Sequence, residues 1–297
     1  MAVENRGETL GEPALMVEHR PFRNFLAHAA LWVGVFILAF PVYLTFVGST
    51  HPQDVIANGQ MPITPGSLFF ETYWKTIFVG TSGTTREPVG TMLINSFVMA
   101  SIIAIGKIAI SILSAFAVVY FKFPFRMAAF WAIFMTLMLP VEVRIYPTYK
   151  IASDLGMLDS YAGLTIPLIA SATATLFFRQ FFLTIPDELV EASKLDGAGP
   201  LKFFWDTVLP LSRTNIAALF VILFIYGWNQ YLWPLLITTR DDMQTIVIGI
   251  KKMIVTADAL TEWNVVMATA VLAMVPPVAV VILMQRWFVK GLVETEK

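Results

Sequence analysis

Residues 185–213 read IPDELVEASKLDGAGPLKFFWDTVLPLSR, a charged stretch set between long apolar runs at 160–178 and 214–239. Its spacing predicts two short helices joined by a turn. Pro186 stands where a helix can start without losing a hydrogen bond, and Asp187 and Glu188 suit the positive N-terminal end of that helix. Leu189, Val190, Ala192 and Leu195 supply an apolar surface, and Gly197 and Gly199 permit the sharp turn that follows. Pro200 starts a second helix in which Phe203, Phe204, Val208 and Leu209 are apolar, and Pro210 precedes the next run. Two short helices at a right-angle turn form a compact knob, stiff enough to pass motion from a soluble partner into neighbouring helices. The same spacing also fits an amphipathic segment lying on lipid headgroups.

The flanking runs are two of six that meet or approach the length needed to cross a bilayer. A hydrocarbon core of about 30 Å takes about 20 apolar residues in a helix, because unpaired backbone groups cannot be left there. The six are 29–47; 91–121, interrupted by Lys107; 127–141, prolonged through Glu142 and Arg144 to near 149; 160–178; 214–239; and 263–285. Composition agrees: 57% of the 297 residues are hydrophobic and 14% charged, against about 45–50% and about 25% in soluble domains. The expected fold class is an all-α integral membrane protein with six transmembrane helices. The first run is uncharged over 19 residues, whereas the core of a cleavable signal peptide has roughly 7–15, so this run spans. The organisation expected is an N-terminal segment at 1–26, a membrane domain at 27–290 and a tail at 291–297.

Lys and Arg in the loops set orientation. With the N-terminus cytoplasmic, that side holds twelve: Arg6, Arg20, Arg23, Lys122, Arg126, Arg179, Lys194, Lys202, Arg213, Arg286, Lys290 and Lys297. The outer side then holds seven: Lys75, Arg86, Arg144, Lys150, Arg240, Lys251 and Lys252. Both termini and segment 186–213 are therefore expected in the cytoplasm. The loop at 48–90, rich in Pro, Gly and Thr, is expected outside.

Ionisable residues inside a membrane are costly, and each is a functional candidate. Lys107 lies sixteen residues past the start of the second run at Thr91. It either attracts an anion along the path, or extends its stem toward the interface or a sister subunit. Glu142 and Arg144 sit at the outer end of the third run, two apart and so on different helix faces. Arg144 suits bidentate contact with a phosphate, and equally an interfacial contact with headgroups or a docked protein. Tyr226, Asn229, Gln230 and Trp233 recur at i, i+3, i+4 and i+7, which places them on one face of a continuous helix. Pro234 follows and bends it. Such a stripe suits a hydroxyl-bearing substrate, or else helix packing held by amide hydrogen bonds.

Several chemistries are excluded. Net charge is −1, which argues against a nucleic-acid partner. There are no cysteines, hence no disulfide or thiolate chemistry. His19, His28 and His51 form no metal cluster in sequence, and no Ser/His/Asp or paired-carboxylate pattern suggests hydrolysis. No G-x-x-x-x-G-K-[ST] phosphate loop occurs, so ATP would have to be bound by another chain. A secondary transporter or channel would want acid or histidine relays at mid-depth, where only Lys107 lies. A membrane enzyme would need convergent polar residues that the sequence does not offer.

Segment 186–213 resembles the cytoplasmic loop of permease subunits of binding-protein-dependent ABC importers, E-A-A-x-x-D-G-A followed by a hydrophobic position and L-P. Glu191, Ala192, Asp196, Gly197, Ala198, Leu209 and Pro210 match, while Ser193 replaces the usual Ala. YGWNQYLWPL at 226–235 is similar to the W-N-x-x-L-W-P element of the carbohydrate-uptake branch. LMLPVEVRIYPT (137–148), LDSYAGLTIPLIASATATLFFRQFF (158–182) and the closing MQRWFVKGLVETEK are more narrowly similar to permeases of sn-glycerol 3-phosphate importers.

The resemblance implies an ABC type I importer permease fold in a bacterial inner membrane. It implies no catalytic site and no cofactor in this chain, with ATP and Mg in a homodimeric partner ATPase that receives the loop. A second homologous permease subunit and an extracytoplasmic binding protein complete the assembly. The implied cargo is sn-glycerol 3-phosphate, perhaps with its phosphodiesters; a neutral sugar or oligosaccharide carried by the same machinery is the alternative.

Overall fold

The computed structural model describes residues 21–80, 87–136, 141–254 and 261–293; the side chains of 21, 23, 141, 142 and 288–293 are outside the description. The chain divides into two compact units, Met1–Leu44 and Thr45–Lys297. The first contributes most of helix α1 (Pro21–Ser49), whose apolar stretch is long enough to cross a bilayer. The second begins with the last turn of α1 and continues through α2 (Gln53–Ala57) and α3 (Phe69–Trp74), which is prolonged by one π-helical turn, Lys75–Val79. Then come α4 (Val89–Tyr120), α5 (Arg126–Met135) and α6 (Val141–Asp154). The fold continues with α7 (Tyr161–Thr165), α8 (Ala172–Phe182), α9 (Asp187–Leu195), α10 (Pro200–Phe203), α11 (Leu209–Leu211) and α12 (Arg213–Trp228). It closes with α13 (Leu232–Ile237), α14 (Ile246–Ile254) and α15 (Trp263–Val293).

The second unit is built on α4, which packs against α8 and α12, while α12 packs against α15. Met92, Ser96, Met99, Ile103, Lys107, Ser111 and Ala115 recur every three or four residues and are buried, as is Ala100 beside Met99. On other faces Ile94, Ile102, Ile105, Ile110 and Leu113 are exposed. A helix apolar all round has no solvated side, so its exposed face belongs in hydrocarbon. Small residues allow the crossings, since packing without a hydrophobic driving force needs close backbone approach. A Cβ on Gly227 would lie 2.9 Å from Ala100 Cα, and one on Gly106 would lie 2.7 Å from Ile169 Cγ2.

Two expected spans are broken. The run at 160–178 forms α7, a 3₁₀ turn (Ile166–Leu168) and α8, bent by 49° between the halves. Pro167 has no N–H to continue the α-helical ladder, and Ser171 restarts it, its Oγ accepting a bond from the Ala174 N–H at 3.2 Å. The run at 214–239 forms α12 and α13, separated by residues 229–231. The break precedes Pro234 because the residue deprived of its helical donor is Gln230, four positions earlier, whose carbonyl would also meet the proline ring. Tyr226, Asn229, Gln230 and Trp233 therefore do not share one helix face.

The third expected span corresponds to α5 and α6; LMLP at 137–140 lies outside the described residues. At ten residues α5 is too short to cross alone. Among the described residues, three helices are each long and apolar enough to cross, and up to five spans result if each of two bent pairs is one span. Residues 1–20 and 294–297 of the expected end segments are also outside the described residues, as are Arg86 and the side chains of Glu142 and Lys290.

The crossing of α12 over α4 yields a direct test. Gly227→Val puts side-chain atoms into the Ala100 backbone and is expected to cost about 1–3 kcal/mol, typical of overpacking. Gly199→Ala, where a Cβ meets nothing within 4 Å, is expected to leave stability near wild type. Thermal unfolding of the detergent-solubilised protein reads both; equal midpoints for wild type and Gly227→Val would disprove the close crossing.

Candidate functional site

Segment 186–213 is anchored on one side and bare on the other. Pro186 caps α9, Asp187 and Glu188 fill its first turn, and Lys194 lies in its last, each sign matched to the helix dipole. The helix ends in a Schellman turn: the Ala198 N–H bonds to the Ser193 carbonyl and the Gly197 N–H to the Lys194 carbonyl, both at 3.0 Å. Gly197 has φ +70°, the left-handed conformation this motif requires. Gly199 has φ −71°, open to any residue, so only one of the two glycines is needed for the turn. Pro200 is the first residue of α10, which runs on through a π turn (Phe204–Val208) and α11. The stretch Pro200–Leu211 meets α12 at a 70° bend.

The underside of this segment is aromatic. Phe203, Phe204 and Val208 are buried against the end of α4. Ring centroids lie 5.0 Å apart for Phe116–Phe204, 5.2 Å for Tyr120–Phe203 and 6.0 Å for Tyr120–Phe182. The opposite face is open and carries large apolar side chains among charged ones. Leu195 is 88% exposed, Leu201 73% and Trp205 62%, and α9 buries no residue of its own. Glu191, Ala192, Asp196 and Gly197 are exposed on this face, with Ala198 and Pro210 half-buried. Leu201 and Trp205 are absent from the sequence reading, although their i, i+4 spacing marks a second apolar stripe beside Phe204 and Val208.

A cleft of about 130 Å³ lies within the helices, lined by Lys107, Arg144, Thr148, Tyr226, Gln230 and Trp233 and floored by apolar residues of α6 and the 3₁₀ turn. Five of the six path candidates thus meet in one place. Asn229 does not; it is exposed at the end of α12. Lys107 comes from the buried face of α4 and is 7% exposed, its ammonium 3.8 Å from the centre of the Tyr226 ring. Arg144 and Thr148 are successive turns of α6, the Thr148 hydroxyl donating to the Arg144 carbonyl at 2.7 Å. Gln230 donates its side-chain amide to the Tyr226 carbonyl at 3.2 Å. Trp233 is buried, its indole N–H donating to the Gly163 carbonyl at 3.0 Å.

No carboxylate stands among the described lining residues. Two cations, an amide, a hydroxyl and two aromatic rings face one small space, an arrangement that can receive an anion with hydroxyl groups. Thr148, and Pro167 and Leu168 on the 3₁₀ turn, were not legible as lining residues, because only tertiary packing brings α6 and the first break to Lys107.

Bonds beyond the cleft fix α13. Asp159, itself in the left-handed region at φ 52°, donates its N–H to the Ile237 carbonyl at 3.0 Å. Its carboxylate accepts from the Thr239 N–H and hydroxyl and from the Arg240 N–H at 2.9 Å. What burial it has pushes its pKa up, but these bonds win and hold the carboxyl below the usual range. Asn95 of α4 donates to the carbonyls of Asp242 and Gln244, and the Tyr161 hydroxyl donates to its Oδ1 at 2.6 Å.

A chain with this helical membrane fold, exposed knob and cationic cleft is similar to known transport proteins. Residues 107–294 match the family described as binding-protein-dependent transport system inner membrane component, and the chain belongs to that family. Its relatives include the sn-glycerol-3-phosphate transport system permease protein UgpE of Rhizobium meliloti and that of Agrobacterium fabrum. Each is 60% identical over 282 residues, covering 95% of this chain and 100% of the relative. The protein of the same name from Yersinia pestis is 55% identical over the same coverage. The crystal structure of a bacterial ABC transporter involved in the import of the acidic polysaccharide alginate contains a chain that matches with a TM-score of 0.76. At 21% identity, and covering 91% of this chain and 98% of that one, it shows the fold: an all-α ABC importer permease.

Proposed function

We propose that this chain is one of two homologous permease subunits of an ATP-driven importer, and that its cargo is sn-glycerol 3-phosphate. Residues 27–290 form the permease domain and half of the path, and both termini are cytoplasmic. An extracytoplasmic binding protein delivers the cargo, and a pair of ATPase subunits, which bind ATP and Mg, receives segment 186–213. The observation that carries the substrate assignment is the cleft: Lys107 and Arg144 face it together, without a carboxylate among the described lining residues. A phosphate loses water on entering such a space, and charge-assisted hydrogen bonds offset that loss. Tyr226, Trp233 and the Gln230 amide suit the glycerol hydroxyls. The printed names of the relatives support the same substrate.

For coupling, the exposed face formed by Glu191, Ala192, Asp196, Leu195, Leu201 and Trp205 suits insertion into a cleft of the ATPase. The aromatic underside ties it to the end of α4 and, through the 70° bend, to α12. Movement of the ATPase pair then reaches the path through packed helices rather than a flexible loop.

Three outcomes are expected. Gly197→Asp places a charged side chain on this face at a left-handed position; it should insert normally but separate ATP hydrolysis from uptake, and normal uptake at normal expression would refute the coupling role. Arg144→Gln should reduce sn-glycerol 3-phosphate uptake roughly tenfold to a hundredfold, the equivalent of about 1.5–3 kcal/mol for a bond to a charged group. Basal ATPase activity should be unchanged and Arg144→Lys should recover only part, because an ammonium lacks the guanidinium fork; wild-type uptake by the Gln variant would make Arg144 an interfacial contact and not a contact to the cargo, and transport of a neutral sugar in place of the phosphate would end the substrate assignment. A C-terminal reporter should be active only in the cytoplasm, and activity outside would invert the orientation.

A further inference from the structure

Helix α3 and its π-helical extension are built the opposite way round from a helix that faces water. The side packed against the rest of the protein carries threonines: Thr72 and Thr76 are buried, and the Thr76 hydroxyl is satisfied by the Thr72 carbonyl at 2.6 Å. The bare side carries aromatic rings. Phe70 is 83% exposed, Trp74 66% and Phe78 58%, at i, i+4 and i+8, and the Trp74 and Phe78 rings lie 4.4 Å apart. This element is also held firmly. The Tyr73 hydroxyl meets Ser49 Oγ at 3.1 Å, the Lys75 ammonium binds Glu262 at 2.9 Å, and the Ile77 carbonyl lies so near Gly90 that a Cβ there would stand 2.7 Å away.

These anchors define a depth. Ser49 ends α1, Gly90 lies in the first turn of α4, and Glu262 directly precedes α15, so α3 packs where three spans end. That is the level of the membrane–water boundary opposite segment 186–213. Aromatic side chains, Trp above all, favour this layer because the ring is apolar and the indole N–H can reach a headgroup. On α4, Ile94 and Phe97, about one and two turns past Gly90, are also exposed.

We infer that the Phe70–Trp74–Phe78 stripe lies in the lipid headgroup layer and fixes the helix ends around it at that depth. Its occupant is the bilayer interface, not a protein. The threonine side packs closely against helix ends, while the aromatic side takes the surroundings that water would not supply. The inference concerns a part of the chain remote from the cleft and does not depend on the cargo.

The chain has no cysteine, so a spin label can be placed at one introduced position. Phe70→Cys, Trp74→Cys and Phe78→Cys would each be labelled in the assembled transporter in lipid nanodiscs. Exposed Gln60→Cys serves as the water-facing reference, and the labelled wild type gives the background from partner subunits. Power-saturation measurements should show oxygen collisions outweighing those with a water-soluble nickel chelate at 70, 74 and 78, and the reverse at 60. Dominant nickel collisions at the three positions would place the stripe in water and overturn the inference. Labels reached by neither reagent would show a protein partner over it and overturn it equally. A second measurement leaves the other two rings intact: the fluorescence lost in Trp74→Phe should be strongly quenched in wild type by lipids brominated at shallow acyl positions. No such quenching counts against the inference even if a cysteine variant assembles poorly.

Discussion

A helix inside a bilayer can be interrupted only where the backbone groups it releases find other partners. Both breaks in the second unit meet that condition, and both border the same space. At the first, Ser171 Oγ caps the restart of α8 and the Ser111 hydroxyl donates to the Ser171 carbonyl at 3.1 Å. At the second, the Gln230 amide caps the Tyr226 carbonyl at the end of α12, and the Trp233 indole holds the restarted α13 against Gly163. Pro167 and Leu168 from the first break, with Gln230, Leu232 and Trp233 from the second, line the cleft. The irregular backbone and the cavity are therefore one feature: two prolines open the helices where the protein has to present polar groups.

The same helix that ends at the cleft begins at the segment with the exposed face. With 16 residues, α12 spans about 24 Å from the bend at Ser212 to Trp228 and carries Tyr226 near its far end. Ser212 is fully buried and its hydroxyl donates to the Val208 carbonyl at 2.6 Å, so the bend is a packed joint. In the proposed mechanism a displacement of segment 186–213 is delivered to the Tyr226 ring, and with it to the cation that ring faces. The close crossing at Gly227 and Ala100 limits the routes by which that displacement can dissipate.

Local chemistry made much of this legible. The proline at the start of α10, the acids opening α9 and the glycine in its Schellman turn are all readable because each answers a need within a few residues. Helix continuity was not readable from the uncharged run at 214–239. Hydropathy registers the absence of charge, not the hydrogen-bond partners that let a span be cut at 229–231, so Asn229 was placed with Tyr226, Gln230 and Trp233 and falls away from them. Lys107 and Arg144 were each conspicuous, but 37 positions separate them. Their common cleft depends on how α6 and the first break fold across α4. The openness of Leu201 and Trp205 was hidden for a related reason: both stand beside buried Phe203 and Phe204, and composition cannot say which of two apolar stripes is covered.

The pairing chosen for Lys107 bears on what the cleft can do. A lysine in mid-span carries an insertion penalty of about 2.5–3.5 kcal/mol, and the ring of Tyr226 returns part of it. At 7% exposure the ammonium is seated on that ring, and no carboxylate stands among the described residues lining the cleft. A carboxylate would have stabilised it more strongly, but would also have neutralised it, and an arriving anion would first have to break that pair. An aromatic face leaves the field of the cation intact. It also bonds no oxygen that cargo must displace, and it attracts too weakly to hold the ammonium if the helices move. For the proposed path, which would have to admit an anion and then let it go, a cation seated on a ring is better suited than a cation in a salt bridge.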